Sequence, residues 1–220
     1  MGATVMPENL KLVLGHLSAV RELDRYLHDH DEDVFLGEGL VKDLERYIKE
    51  GLRPAIENLV PTLKDWHGTT DREGVNWFPE SWKLRKDFHV ALTVVFPEPL
   101  GSIDPDPSVN LCVPKSRFSR AIANRSTPWA QALLGGGFGH IDDNQDWQQD
   151  FPIGRYVPWL ERDGSFAEQS LLERIASEAM KIVNLEPTIT EALRSVLTKP
   201  SKKTSPSSHG PAKVHQRKPS

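Results

Sequence analysis

Apolar residues recur at every third or fourth position through the first quarter of the chain, which is the spacing of an amphipathic α-helix. This pattern begins at Pro7, continues for about five turns and ends at the polar run His28–Asp33. A second helical pattern starts at Leu40 and continues, with interruptions by Gly and Pro, as far as Leu63. Because a short polar turn joins the two patterns, we expect an antiparallel helical hairpin over about residues 7–64.

The spacing changes to a period of two in the middle of the chain, which is typical of strands. Apolar and polar residues alternate strictly over 88–96, so we expect a strand with one buried face, and 109–113 predicts a second strand. The proline-rich link between them suits no helix, and a parallel pair needs a crossover, so we expect antiparallel pairing. Weaker strand patterns occupy Gly74–Phe78 and Arg155–Leu160, where Pro158 suits only an edge strand.

Helical patterns return in the C-terminal half of the chain. Short helices are predicted over 116–123 and 127–134, and a run of glycines ends the second one. The last long helix is expected to start at a capping box formed by Ser165 and Glu168. The dipeptide Pro187–Thr188 breaks that helix and begins another.

Helices at both ends with strands between them predict an α+β fold class and a single domain over residues 1–198. Its parts are the helical hairpin, a small antiparallel sheet within about 74–198, and C-terminal helices. The remaining segment, 199–220, is rich in Pro, Ser and Lys and lacks aromatic residues, so we expect a disordered basic tail. The tail has no acidic residue, and its basic residues allow contact with nucleic acid. They are Lys199, Lys202, Lys203, Lys213, Arg217 and Lys218.

Charge and cysteine content narrow the possible classes of protein. Of 27 Lys and Arg, six lie in the tail, so the body has 21 basic residues against 31 Asp and Glu, which disfavours a large nucleic-acid surface. A single cysteine, Cys112, excludes an intrachain disulfide and zinc sites built on paired cysteines. No apolar run reaches the roughly 18 residues of a membrane span. We expect a cytoplasmic protein without membrane contact, bound metal or cofactor.

Motifs for metal, phosphate and nucleophile chemistry are incomplete. The run His28–Asp33 holds several potential ligands, but imidazoles two positions apart on a helix diverge. The segment Asp142–Asp146 has the first spacings of a calcium loop and lacks its glycine and final glutamate. The segment Gly135–Gly139 follows a predicted helix, which favours a helix stop over a phosphate cradle. Cys112 and His89 can meet only if their strands pair in the right register, and no third group is evident to orient them.

Tryptophan is abundant, with six residues in the chain. Several of them flank predicted turns, and tryptophan is favoured both in protein cores and at partner interfaces. Composition alone leaves these two placements open. The candidate binding residues in turn-flanking segments are Trp77, Trp82 and Trp159.

Three segments together resemble the region beyond the catalytic core in some bacterial PD-(D/E)XK nuclease-superfamily proteins, which are often linked to defence or mobile elements. They are Asn76–Trp82, the strand pattern Asp87–Phe96 and Tyr156–Trp159, followed by long helices. The resemblance covers about 38–197. That nuclease chemistry needs a Glu-x-Lys to hold a divalent metal, and no lysine here has Glu or Asp two positions before it. The resemblance therefore implies the accessory part without the cutting part.

Two functions from different classes agree with these patterns. The first is a non-catalytic protein-interaction or regulatory module that binds a protein partner. The alternative is a metal-dependent phosphodiesterase or nuclease-like enzyme, whose candidate catalytic residues are Glu80, Lys83, Asp87 and His89 around the start of the strongest strand. A spatial cluster of those side chains favours the alternative, and their dispersal excludes it.

Overall fold

The computed structural model confirms an α+β architecture with an antiparallel sheet. The structure describes residues 5–29, 38–85, 88–97, 99–100, 106–114, 127–140 and 149–198. Several predictions concern residues outside these ranges. They are the end of the His28–Asp33 run, Asp87, the helix over 116–123, the Asp142–Asp146 loop and the basic tail over 199–220.

Helices form both ends of the described chain, and strands lie between them. The α-helices are α1 (Glu8–Gly15), α2 (Leu17–Asp29), α3 (Glu38–Tyr47), α4 (Arg53–Leu59), α5 (Pro128–Gly135), α6 (Glu168–Val183) and α7 (Glu186–Thr198). The strands are β1 (His67–Thr70), β2 (Gly74–Phe78), β3 (Lys83–Arg85), β4 (Phe88–His89), β5 (Ala91–Val95), β6 (Ser108–Pro114), β7 (Gly139–His140) and β8 (Gln149–Tyr156). A π-helical turn (Ile48–Leu52) and 3-10 turns (Pro61–Asp65 and Glu80–Trp82) complete the described elements.

The first helical pattern is broken where the sequence predicts one continuous helix. Helix α1 ends at Gly15, and His16, with φ −123°, donates its backbone N–H to the carbonyl of Val13 at 3.1 Å. Glycine is a poor helix former, and the chain resumes as α2 directly afterwards. In the second pattern, by contrast, a π-helical turn between α3 and α4 carries the helix up to Pro54, which lacks the N–H of a normal helical bond.

One antiparallel sheet of six strands, in the order β1-β2-β5-β6-β8-β7, forms the centre of the fold. The predicted pairing of the two strongest strands is confirmed, with Leu92 opposite Leu111. The predicted strand over 88–96 is divided, because Val90 donates its N–H to Trp82 instead of to the sheet, at 3.1 Å. Strand β4 therefore pairs with β3 in a separate two-stranded sheet.

The prediction of one buried face on this strand is also wrong. All residues from Val90 to Val94 are buried, so both faces of β5 are covered. The face that includes Trp77, Leu92 and Leu111 is apolar and belongs to the single hydrophobic core of the described residues. Helix α6 packs against β5 and β6 and against α4. The predicted apolar residues of α6 are confirmed as buried, namely Leu171, Leu172, Ile175, Ala179 and Ile182.

The strand predicted over Arg155–Leu160 lies earlier in the chain. Strand β8 ends at Tyr156 and is enclosed between β6 and β7, so it is not an edge strand. Pro158 comes after it and removes no ladder hydrogen bond. Beyond the strand, the chain is hydrogen-bonded to the segment before β6, because Trp159 donates its backbone N–H to the carboxylate of Asp106 at 3.2 Å.

The predicted capping box at Ser165 does not form, since α6 begins at Glu168 and the Ser165 hydroxyl donates instead to Asp163 at 2.6 Å. The Glu168 carboxylate instead contacts residues that are distant in the sequence. It accepts the backbone N–H of Met6 at 3.0 Å and the hydroxyl of Tyr47 at 3.2 Å, and it pairs with the Lys11 ammonium at 3.2 Å. Helix α7 likewise begins two residues before the predicted restart at Thr188.

We expect Glu168→Ala to lower the free energy of unfolding by about 1–3 kcal/mol, because it leaves the Met6 N–H and Tyr47 hydroxyl without an acceptor. Glu173→Ala in the same helix is the matched control, since Glu173 is exposed and its side chain accepts a hydrogen bond from Gln169 on its own helix. Urea denaturation of both variants measures the difference. Equal midpoints would show that the Glu168 contacts contribute nothing to stability.

Candidate functional site

The three candidate binding tryptophans lie in the core. Trp77, Trp82 and Trp159 are all less than 2% exposed, so the expectation that they form a contact surface is corrected. Their indole rings pack inward from the turns that they flank. This placement is the usual one for large aromatic side chains that anchor a modest core.

Specific contacts fix these rings. The indole N–H of Trp77 donates to the Glu57 carboxylate at 3.1 Å. Trp82 meets Trp66 edge to face with ring centroids 5.0 Å apart, and the centroids of Trp159 and Phe96 are 5.2 Å apart in the same geometry. The tryptophans thus connect the sheet, the 3-10 turn at Trp82 and the chain after β8.

A group of chemically active side chains lies at one end of the sheet, and we call it the histidine cluster: His67, Phe78, Glu80, Lys83 and His89. His67 and Phe78 face each other across the β1–β2 pair. Glu80 lies on the 3-10 turn that follows β2, while Lys83 opens β3 and pairs with His89 on β4. The cluster therefore depends on strand pairing in both sheets.

The side chains of the cluster are in direct contact. The Nε2 atom of His67 lies 2.9 Å from a carboxylate oxygen of Glu80, and the Lys83 ammonium lies 3.3 Å from the other oxygen. The Phe78 ring stacks on both imidazoles, with centroid distances of 5.2 Å to His67 and 3.8 Å to His89. An exposed ion pair thus lies beside a partly buried stack of three rings.

The electrostatics of the cluster favour a charged glutamate and a neutral imidazole. The hydrogen bond from Lys83, with that from His67, holds the pKa of Glu80 below its ordinary value. Burial lowers the pKa of His89, and the proximity of Lys83 and His67 lowers it further. At neutral pH, His89 is therefore an uncharged ring with nitrogen atoms that can accept or donate a proton.

The structure brings together three of the four residues of the enzyme hypothesis, namely Glu80, Lys83 and His89, while Asp87 lies outside the described residues. His67 and Phe78 also belong to the cluster, and no sequence motif indicated them. The His67–Glu80 pair resembles the base-and-orienter arrangement of acid–base sites, but it is exposed, so water screens it. Within the described ranges, no three His, Cys, Asp or Glu side chains are placed to hold a metal ion.

Other motifs from the sequence have structural explanations. In the observed register Cys112 lies opposite Ala91, while His89 belongs to the second sheet, so the register does not set these two residues opposite each other. The predicted helix stop at the glycine run is confirmed. Gly137, with φ +84°, follows α5, and the next residue, Phe138, donates its N–H back to Leu133 at 3.0 Å.

A second candidate surface lies on the N-terminal helices, where large apolar side chains are exposed. On α2, Leu23 is 49% and Tyr26 is 59% exposed, and they lie one helical turn apart. On α1, Leu12 is 64% exposed. The opposite side of α2 is turned inward at Leu17, which is buried.

Comparison with known proteins assigns no family to this chain. No protein-family model matches it, and searches of curated proteins and of solved structures give no match either. Among the described helices, none has the length and apolar content needed to span a bilayer.

We expect the free energy of unfolding to decrease as the pH falls through about 6.5, the ordinary pKa of histidine, because the folded protein resists protonation of His89 and the unfolded chain does not. His89→Phe keeps a ring against Phe78 and removes the titrating group, so its pH dependence over this window should be weaker. His16→Phe removes an exposed histidine and serves as the control. Parallel slopes for the parent and His89→Phe in urea denaturation at pH 7.5, 6.5 and 5.5 would contradict this expectation.

Proposed function

We propose that this chain is a non-catalytic protein-interaction module whose contact surface is the outward face of α2. The observation that carries the proposal is the exposure of Leu23 and Tyr26 on an otherwise amphipathic helix. Isolated exposed apolar residues are normal on a protein surface. Two large ones on adjacent turns form a small apolar stripe, and tyrosine is among the residues enriched at interface centres.

The charges beside this stripe define the kind of partner. Glu22 and Arg25 are both exposed and are neighbours of Leu23 and Tyr26 in the sequence, so the rim of the surface has both signs. The matching surface is an apolar groove on another protein with one basic and one acidic rim residue. The partner class is therefore a folded protein and not a polyanion.

Sequence features support a biological setting for the proposed module. The resemblance to the accessory region of PD-(D/E)XK proteins favours a regulatory role in a bacterial defence or mobile-element system. The single cysteine favours the cytoplasm, and the basic tail provides a secondary contact with nucleic acid.

A photo-crosslinking amino acid at position 23 tests the contact surface. In cells of the native source, we expect ultraviolet light to produce one dominant adduct with another protein from position 23, and the same adduct from position 26. The control is the same amino acid at position 195, which is exposed on α7. Equal adducts from all three positions, or none from positions 23 and 26, would refute the proposed surface. An adduct between two copies of the chain would replace the separate partner with self-association.

A metal-dependent phosphodiesterase is the second candidate function. The observation in its favour is the assembly of Glu80, Lys83 and His89 in the histidine cluster. Divalent ions bind carboxylate and neutral imidazole, and Asp87 supplies a further carboxylate near the same strand in the sequence.

Calorimetric titration with Mn²⁺, followed by a cleavage assay on single- and double-stranded DNA and RNA, tests this candidate. If it is an enzyme, Glu80→Gln and Asp87→Asn should each reduce cleavage by about a hundredfold or more. Glu191→Gln, an exposed carboxylate on α7, is the control and should leave cleavage unchanged. Absence of Mn²⁺ binding and of cleavage in the parent protein would exclude the enzyme.

A further inference from the structure

Strand β1 is an outer strand of the six-stranded sheet, since β2 is its one neighbour among the described strands. The hairpin between these strands sets which backbone groups of β1 face outward. Asp71 donates its N–H to the carbonyl of Gly74 at 3.0 Å, so this pair is hydrogen-bonded. Because bonded and non-bonded pairs alternate along an antiparallel ladder, the N–H and C=O groups of Gly68 and Thr70 point away from β2.

A side chain of α4 covers this edge. Arg53, the first residue of α4, donates from its Nη1 atom to the carbonyl oxygen of Gly68 at 3.0 Å. Its Nε atom donates to the Glu57 carboxylate at 2.7 Å, and the same carboxylate oxygen accepts the indole N–H of Trp77 at 3.1 Å. Trp77 in turn lies opposite Gly68 across the ladder. The guanidinium group is therefore held in place between α4 and the sheet edge.

Gly68 allows the close approach of this guanidinium group. A Cβ atom at position 68 would lie 2.6 Å from the Cζ atom of Arg53 and 2.7 Å from its Nη2 atom. Both distances are far below the roughly 3.5 Å of an ordinary contact, so a side chain here would displace the arginine. Gly68 does not have a positive φ, so its backbone conformation does not itself require glycine. The missing side chain serves the approach of Arg53.

An open strand edge is a template for pairing with another chain. The residues of β1 fit a second copy of the same strand. In antiparallel pairing about Thr69, Gly68 of each copy would face Thr70 of the other, so the outward backbone groups of both copies would be hydrogen-bonded. The same register sets the His67 imidazole opposite the Asp71 carboxylate of the other copy, which is a favourable cross-strand pair.

We propose that Arg53 keeps the edge of β1 from pairing with a second copy of this chain. With Arg53 in place, the Gly68 carbonyl already has a donor, and an incoming strand would have to displace the guanidinium group. Without Arg53, the outward backbone groups of Gly68 and Thr70 form an uncovered edge. This role is independent of the contact surface proposed on α2, because it involves α4 and β1.

Analytical ultracentrifugation of the full chain tests the role of Arg53. We expect the parent to sediment as a monomer and Arg53→Ala to shift towards twice that mass at the same concentration. Gly68→Ala should have the same effect, because its Cβ atom displaces the guanidinium group without removing it. The controls are Arg46→Ala, an exposed position on α3, and Gly39→Ala, where a Cβ atom meets no described atom within 4 Å. Both should remain monomers.

The substitution Thr69→Cys identifies the surface through which the copies pair. Thr69 is exposed and lies at the centre of the expected pairing, where non-bonded Cα atoms approach to about 4.5 Å, a distance that permits a disulfide. Under mild oxidation, Arg53→Ala/Thr69→Cys should form linked dimers at least about tenfold faster than Thr69→Cys alone, because pairing raises the effective concentration of the second thiol. Arg53→Ala/Ser195→Cys, exposed on α7, is the control.

Three results would overturn the proposal. The first is that Arg53→Ala and Gly68→Ala both remain monomeric while circular dichroism shows the parent fold. The second is that Thr69→Cys forms linked dimers equally fast with and without Arg53. The third is that dimers of Arg53→Ala are not linked through Thr69→Cys, which would assign them to another surface such as α2. Arg53→Met, which keeps a long side chain but has no donor, replaces Arg53→Ala if that variant does not fold.

Discussion

The carboxylate of Glu168 connects the three parts of the fold. Glu168 is the first residue of α6, where the helix dipole favours a negative charge. Its carboxylate accepts hydrogen bonds from Met6, which precedes α1, and from Tyr47 at the end of α3. Burial, together with the neighbouring carboxylate, raises the pKa of Tyr47, so its hydroxyl keeps the proton that it donates. The Tyr47 ring then packs on Phe96, whose ring in turn meets Trp159. The N-terminal helices, the chain after β5 and the segment after β8 are thereby fixed to one core.

The core of the fold contains the tryptophans that the sequence suggested as binding residues. Because Trp77, Trp82 and Trp159 fill the core, function depends on what the core leaves available. Two regions have that property: the outward face of α2 and the histidine cluster at one end of the sheet. The first is the surface that we propose for a partner protein, and the second is the site of the alternative enzyme hypothesis.

The sequence predicted features that depend on neighbouring residues and missed those that depend on distant ones. Gly74–Phe78 is a strand with the predicted bounds, because its alternation and the flanking turns are local. The division at Val90 could not be predicted, since it depends on the carbonyl of Trp82 in another turn. The capping box at Ser165 failed because Asp163 competes for that hydroxyl. Three of the five residues of the histidine cluster, Glu80, Lys83 and His89, were candidates from the sequence, but His67 enters the cluster only through the pairing of β1 with β2.

The same 3-10 turn positions both core and surface residues, so the contacts of its core side also restrain the backbone of the histidine cluster. Trp82 is buried against Trp66, while Glu80, two residues earlier, points to solvent and contacts His67. The residue between them, Ser81, donates its hydroxyl to Glu186 at the start of α7 at 2.8 Å. The turn is thus held from the core and from a helix, so the Glu80 carboxylate starts from a fixed backbone. Preorganisation of this kind reduces the entropy lost when a charged partner or ion is bound, and it does so without burying the charge.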